Sequence, residues 1–155
     1  MEIELAGPAD AHALAALFTA SRRAAMPWLP PLHSAAEDRR FIAEQVIGAS
    51  DEVLVVRREG RPVGFLALVG PMVEHLYVEP GAQRAGIGSA LLDTAKARRP
   101  EGLRLWVFQA NEGARAFYAK HGFTEVERTD GAANEEREPD VLLAWPGAAK
   151  DSPRP

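Results

Sequence analysis

The segment that most constrains this chain runs from Met72 to Arg98. The strand candidate Met72 to Val78 is followed by Gly81-Ala82-Gln83-Arg84-Ala85-Gly86-Ile87-Gly88-Ser89, then by a helical stretch that must end before Pro100. A strand feeding a helix through a glycine-bearing turn aims the first helical amides outward with partial positive charge. Such a turn is an anion site by construction. Glycine at 86 and 88 lets an oxygen come close to the backbone or permits positive φ, and Arg84 adds a charged donor. The spacing also suits a tight turn with no ligand, and by itself it leaves both readings open.

Two familiar phosphate motifs come near and fail. Gly81 and Gly86 have P-loop spacing, but Ile87 and Gly88 stand where lysine and Ser/Thr must reach terminal phosphates and magnesium. The run Gly86-Ile87-Gly88-Ser89-Ala90-Leu91 opens like a dinucleotide fingerprint, yet Leu91 replaces the third glycine and no acidic ribose-binding residue follows at the usual distance. Triphosphate and hydride chemistry are both disfavoured.

Around this segment the pattern alternates strands and helices. Glu2 to Leu5 reads as a short strand, and Asp10 as the cap of a helix bearing Leu14, Leu17 and Phe18. Met26-Pro27-Trp28-Leu29-Pro30-Pro31 must be an apolar loop, because three prolines remove donors. Ser34 and Glu37 form a capping box for a second helix that carries Phe41, Ile42 and Val46 and stops at Gly48. Val53 to Arg57 and Pro62 to Val69 read as a hairpin about Arg58-Glu59-Gly60-Arg61, the second strand apolar on both faces and therefore covered on both sides. Leu103 to Gln109 is a strand, Asn111 caps a helix ending at His121-Gly122, and Phe123 to Glu127 and Val141 to Trp145 are strands around the acidic loop from Thr129 to Asp140.

A length of 155 residues with 46% hydrophobic content predicts one domain over residues 1–146, and the Pro, Ala and charge of residues 147–155 predict a disordered tail. The net charge of −4 and the scattering of the arginine pairs argue against a nucleic-acid partner. Cysteine is absent, which removes disulfides, thiolate metal sites and cysteine nucleophiles. His12, His33 and His121 have no metal-ligand spacing, so no metal is expected. No apolar stretch approaches a membrane span and MEIELAGPAD has no signal character, so the expected location is cytoplasmic, with no membrane partner.

The run from Leu76 to Leu92, with its Gln83-Arg84-Ala85-Gly86-Ile87-Gly88 core, resembles the Q/R-x-x-G-x-G/A signature of the GCN5-related N-acetyltransferases. Downstream, Phe108-Gln109-Ala110-Asn111 and Ala114-Arg115-Ala116-Phe117-Tyr118-Ala119-Lys120-His121-Gly122-Phe123 resemble that family's second motif, in the same order and at a similar separation. The resemblance covers about Pro62 to Trp145 well, and earlier residues by element order only. It implies an α/β (α+β) fold, a mixed, mostly antiparallel sheet of six to seven strands flanked by four helices. It also implies an N-acetyltransferase that passes an acetyl group from acetyl-CoA directly to the amine of a small molecule, peptide or protein. Homodimers are common in such a family.

Carried over position by position, the resemblance puts backbone groups of Leu76 and Val78 beside the pantetheine arm. Gln83, Arg84, Ala85, Gly86, Ile87, Gly88 and Ser89 then hold the pyrophosphate, Asn111 lies beside pantetheine, and Tyr118 turns its hydroxyl to the sulfur. Trp28 in its proline loop is implied to line the acceptor side. Transfer to an amine also needs a proton acceptor, a stabilised oxyanion and an acid for the thiolate. Tyr118 is the expected acid, against a packed helix tyrosine; Phe117 beside it reads as core. Glu74 leads as base, with His75, with Glu135 or Glu136, or with water as alternatives; neighbours on a strand face opposite ways, so only one of Glu74 and His75 meets the acceptor. Asn134, Glu135, Glu136 and Asp140 form either an amine-attracting patch or a plain solvated loop. The competing readings are a non-catalytic acyl-CoA sensor or interaction module, and transfer to a hydroxyl or of a longer acyl chain.

Overall fold

The structure, a computed structural model, describes residues 1–83 and 85–151, with side chains up to residue 149. It forms two compact units, Met1–Ala95 and the described residues from Lys96 onward.

In the first unit, four strands, β1 (Ile3–Leu5), β2 (Glu52–Arg58), β3 (Arg61–Val69) and β4 (Met72–Val78), lie in sequence order, each antiparallel to the next. Glu59 and Gly60 turn the β2–β3 hairpin with φ of 53° and 76°, the two-residue geometry whose twist matches the strands it joins. Residues Pro62 to Leu68 of β3 are all buried, as its double-sided apolar pattern predicts.

One face of these strands carries Val53, Val55, Phe65 and Ala67, packed on Leu14, Leu17 and Phe18 of α1 (Ala11–Ala25) and on Ile42 and Val46. Ser34 and Glu37 cap α2 (Ala35–Phe41) reciprocally, as the sequence predicts. Its continuation, Ile42–Ile47, widens into a π-type turn with Gly48 N–H donating to the Ala43 carbonyl at 3.0 Å.

The other face meets α3 (Ile87–Arg98) at very close range. A Cβ on Gly64 would lie 2.6 Å from Ile87 Cγ2 and 3.3 Å from Leu91 Cδ1. Only glycine at position 64 permits this approach without a shift.

Asp10 does not cap α1 with its side chain. The chain enters helical geometry one turn earlier, in a 3₁₀ turn over Pro8–Asp10, which makes Asp10 a third residue rather than a first. Its carboxylate accepts from Gly7 N–H at 2.9 Å and from both terminal nitrogens of Arg57 at 2.8 and 3.1 Å. The Arg57 hydrogen bond holds that carboxyl below the usual carboxylate range.

In the second unit, β5 (Leu103–Phe108), β6 (Thr124–Thr129) and β7 (Asp140–Trp145) are antiparallel in the order β5, β7, β6. The outer strand β6 is exposed over Thr124 to Arg128, and its ladder to β7 skips Val126. Helix α4 (Glu112–Lys120) is capped by Asn111, whose Oδ1 accepts from Ala114 N–H at 3.2 Å. Lys96, in the last turn of α3, donates to the His121 carbonyl and lies over the Phe123 and Trp145 rings. After β7, Ala148–Asp151 form a single helical turn, α5, begun by Ala148 N–H donating to the Pro100 carbonyl. Residues 152–155 of the expected tail lie outside the described residues.

Candidate functional site: the turn into α3 and the ring cluster on β4

The turn is built by ordinary local rules. Glu79 N–H still donates to the Val63 carbonyl at 2.8 Å, so β4 stays registered against β3 to its last residue. Pro80 then opens a short 3₁₀ turn that buries Ala82 as an anchor. Gly86 takes φ of +79°, with nothing within 4 Å of where a Cβ would stand. The first helical bond runs from Ala90 N–H to the Gly86 carbonyl at 3.0 Å, so the amides of Ile87 and Gly88 have no acceptor inside the helix. Gln83, Ala85 and Gly86 are exposed, Gly88 and Ser89 half-buried, and the Ile87 side chain buried, which pins the helix start. Arg84, the expected charged donor, lies outside the described residues. A positive-φ glycine, open space and outward amides at the start of a twelve-residue helix fit a diphosphate.

Leu76 and Val78 pair with Leu66 and Gly64 of β3, on the face turned to α3. Two residues before Leu76 the ladder slips: Ala67 pairs with His75 and Leu68 with Val73, leaving Glu74 without a partner. This bulge puts Val73 and His75 on opposite faces although they are two apart. Glu74 is exposed, whereas His75 turns to the α1 and α2 face.

There His75 enters a ring cluster. Its centroid is 6.2 Å from that of Phe18, 5.6 Å from Phe41 and 6.1 Å from Tyr77; Phe18 and Tyr77 themselves meet edge to face at 5.1 Å. Burial, with the Arg22 guanidinium as second cause, holds the imidazole down to about 4. Gly64, Phe18, Phe41 and Tyr77 escaped the sequence reading as site residues. Gly64 had a signal, a glycine inside an apolar strand; the rings had only the helical spacing of ordinary core.

Other expected residues fall elsewhere. Trp28 is exposed in its proline loop. Asn134 is committed to its own loop: Nδ2 donates to the Glu138 carbonyl at 2.7 Å and to Asp140 at 3.3 Å, and Oδ1 accepts from Glu138 N–H at 3.2 Å. Glu135 is exposed and Glu136 half-buried in that loop. Gln109 ties the loop ends through the Thr129 and Asp140 carbonyls, each at 3.0 Å, so the acidic stretch is pinned at both ends. Tyr118 is the buried member of its aromatic pair, 5.5 Å from Phe123, while Phe117 is half-buried. The expected Phe117 core position is thus corrected, because the closure at Gly122-Phe123 packs over Tyr118 instead. His12 is exposed, and His33 bonds to Glu37. Among the described residues, no three His, Asp or Glu side chains gather as a metal site, and no helix is long and apolar enough to cross a membrane.

Residues 49–125, which contain β2 to β4, the turn, Asn111 and Tyr118, match the model of the acetyltransferase (GNAT) domain. The chain is 33% identical over 95 residues to the peptidyl-lysine N-acetyltransferase YjaB of Escherichia coli K12, covering 61% of this chain and 64% of that one. It is 35% identical over 94 residues to the E. coli peptidyl-lysine N-acetyltransferase YiaC, covering 59% and 62%. The matched stretches thus span just under two thirds of these relatives. In structure, the chain superposes on apo YjaB from E. coli with a TM-score of 0.77 at 26% identity, covering 95% of this chain and 98% of that one. The PaiA N-acetyltransferase of Thermoplasma acidophilum, solved with coenzyme A, shares the fold with a TM-score of 0.69 at 21% identity over 94% of this chain and 99% of that one. The expected α+β class, a mixed sheet of seven strands with four helices, is the class of these neighbours. Motif, turn geometry and architecture agree, and the chain belongs to the GCN5-related N-acetyltransferase family.

Proposed function

We propose that this chain is an acetyl-CoA-dependent N-acetyltransferase acting on an amine. The observation that carries the reading is the start of α3, where Gly86 at φ +79° has open space beside it and the amides of Ile87 and Gly88 have no acceptor inside the helix, a geometry suited to a diphosphate. When bound, acetyl-CoA supplies an acyl group on a sulfur leaving group. Gln83 to Ser89 hold its phosphates, main-chain groups of Leu76 and Val78 flank the pantetheine, and Asn111 adds a polar contact to it. Tyr118 donates the proton that the departing sulfur needs. Glu74, exposed at the bulge, collects the proton that the nitrogen sheds. Trp28, Asn134 and Glu135 belong to the acceptor side of this reading.

The relatives named above are peptidyl-lysine acetyltransferases, which makes a protein amine one acceptor to test. Acetyl-CoA and an amine are the only partners the reaction needs; nucleic acid has no part in this reading, and the site of action is the cytoplasm. A homodimer is compatible with it and is read out by light scattering.

The test is calorimetric titration with coenzyme A, followed by acetyl-CoA turnover against diverse amines with detection of released thiol. Micromolar binding and amine-dependent thiol release support the reading. Binding without turnover on any amine makes the chain a cofactor sensor, and failure to bind coenzyme A removes the reading altogether. Tyr118→Phe is expected to lower turnover at least tenfold with coenzyme A affinity within twofold; equal turnover removes the acid assignment.

A further inference from the structure

Gln109 is the residue at which three parts of the second unit meet. It stands between the end of β5 and Asn111, the cap of α4, and its hydrogen-bonding groups reach in different directions. The main-chain N–H donates to the Pro139 carbonyl at 2.9 Å, and the main-chain carbonyl accepts from Nη1 of Arg115, on α4, at 3.1 Å. Nε2 donates to the carbonyls of Thr129, the last residue of β6, and Asp140, the first of β7, each at 3.0 Å. A carboxamide carries two N–H donors on one planar group, so it spans two carbonyls that a carboxylate of the same shape repels. Arg115 extends the link, since its other terminal nitrogen donates to Glu125 of β6 at 3.0 Å.

The acidic loop between β6 and β7 is closed on itself. Asn134 holds both the carbonyl and the N–H of Glu138, and Thr129 Oγ1 donates to Asp140 while accepting from Gly131 N–H at 3.1 Å. A Cβ on Gly131 would overlap the Glu138 main chain, so the loop crosses itself closely there. A segment tied internally in this way moves as one body about its two ends. Each end carries a hydrogen bond from Gln109.

We propose that Gln109 is a positioning residue that couples the acidic loop to the first turns of α4, so that coenzyme A held at Asn111 and Tyr118 also fixes the loop bearing Asn134 and Glu135. This deepens the acetyltransferase reading and rests on it. The physical route is short. Arg115 lies between Asn111 and Tyr118 on α4, so a ligand that steadies those two residues steadies the guanidinium between them. That guanidinium holds the Gln109 carbonyl, and the Gln109 amide holds both loop ends. Opening the loop base therefore costs more with cofactor bound than without it, which is the differential that linkage between two sites requires. The loop is closed in nearly all molecules either way, so coenzyme A affinity itself depends little on the clamp.

The experiment measures hydrogen exchange by NMR at the amides of residue 109 and Gly131, which bond at the loop base, in the full chain with and without saturating coenzyme A. In the parent, coenzyme A is expected to slow exchange there by about fivefold or more, the lower end of coupling between linked sites. Gln109→Met keeps the side-chain length and the main-chain bonds but has no side-chain donor. It should reduce that ratio to about twofold or less, with coenzyme A affinity in calorimetry within about twofold of the parent. A residue that only stabilised the fold would speed exchange equally with and without cofactor, leaving the ratio unchanged. Arg115→Met cuts the same route at the α4 end and should lower the ratio likewise; it decides the question if Gln109→Met does not fold. Coenzyme A that binds without slowing these amides overturns the proposal, as does a parent-like ratio in the variants. If coenzyme A does not bind, the acetyltransferase reading falls and takes this one with it.

Discussion

On the side of β3 and β4 turned to α3, close contact depends on backbone and on the absence of side chain: Gly64 admits Ile87 and Leu91, and Gly86 leaves open space before the helix. On the side turned to α1 and α2 the strands meet rings, with His75 among Phe18, Phe41 and Tyr77. A ligand held by main chain imposes glycines at fixed spacing, because only glycine removes the obstructing Cβ. A ligand held by side chains can be served by many combinations of rings and acceptors. One chain can therefore keep a recognisable cofactor turn while its acceptor side follows no shared pattern.

The sharpest way to break this contrast is Gly86→Val. A β-branched residue at φ +79° is strained and crowds the amides, so coenzyme A affinity should fall at least a hundredfold, about 3 kcal/mol, in calorimetry. A fall of less than tenfold places the phosphates elsewhere.

The ring side should respond to pH instead. His75 drops from an ordinary value of 6.5 to about 4 on folding, so the unfolded chain takes up its proton first as pH falls. Its contribution to stability is fully present above pH 6.5 and is lost progressively down to about pH 4, amounting to about 3 kcal/mol at most. Urea melts across that window should show the fall in the parent and a shallower one in His75→Phe. Parallel slopes contradict the buried, neutral imidazole.

Gly64→Ala tests the close approach of α3 directly. A methyl 2.6 Å from Ile87 Cγ2 must push the helix or the isoleucine, at about 1–3 kcal/mol of stability and with weaker coenzyme A binding. An unchanged melting midpoint would show that the helix yields freely. The smallest effect is expected in the second unit, where Asn111→Ala removes the α4 cap at about 1 kcal/mol, read from the shift of a thermal melt.

Legibility divided along the same line. The Ser34–Glu37 box, the Glu59-Gly60 hairpin, the doubly buried β3, the Asn111 cap and the turn into α3 were readable because each is set by a few consecutive residues. The bulge at Glu74 was not, since it depends on how Leu68 and Ala67 pair across the hairpin. Strict alternation separated Glu74 from His75 but could not say which would reach the rings. Asp10 was misread because its partner, Arg57, lies 47 residues away on β2. Phe117 was read as core because a nine-residue helix has too few apolar positions to define its buried stripe, and the Phe123 closure over Tyr118 decides it.

The outer strand β6 bears on how the protein behaves when crowded. Its skipped Val126 kinks the rim, and Glu125 and Arg128 pair along it at 2.7 Å, with Glu127 exposed between them. A passing strand from another molecule finds two carboxylates, a guanidinium and a broken row of donors there instead of a flat template. Concentrated solutions of this protein should therefore resist growing ribbons from that border, and straightening it by deleting Val126 should invite them.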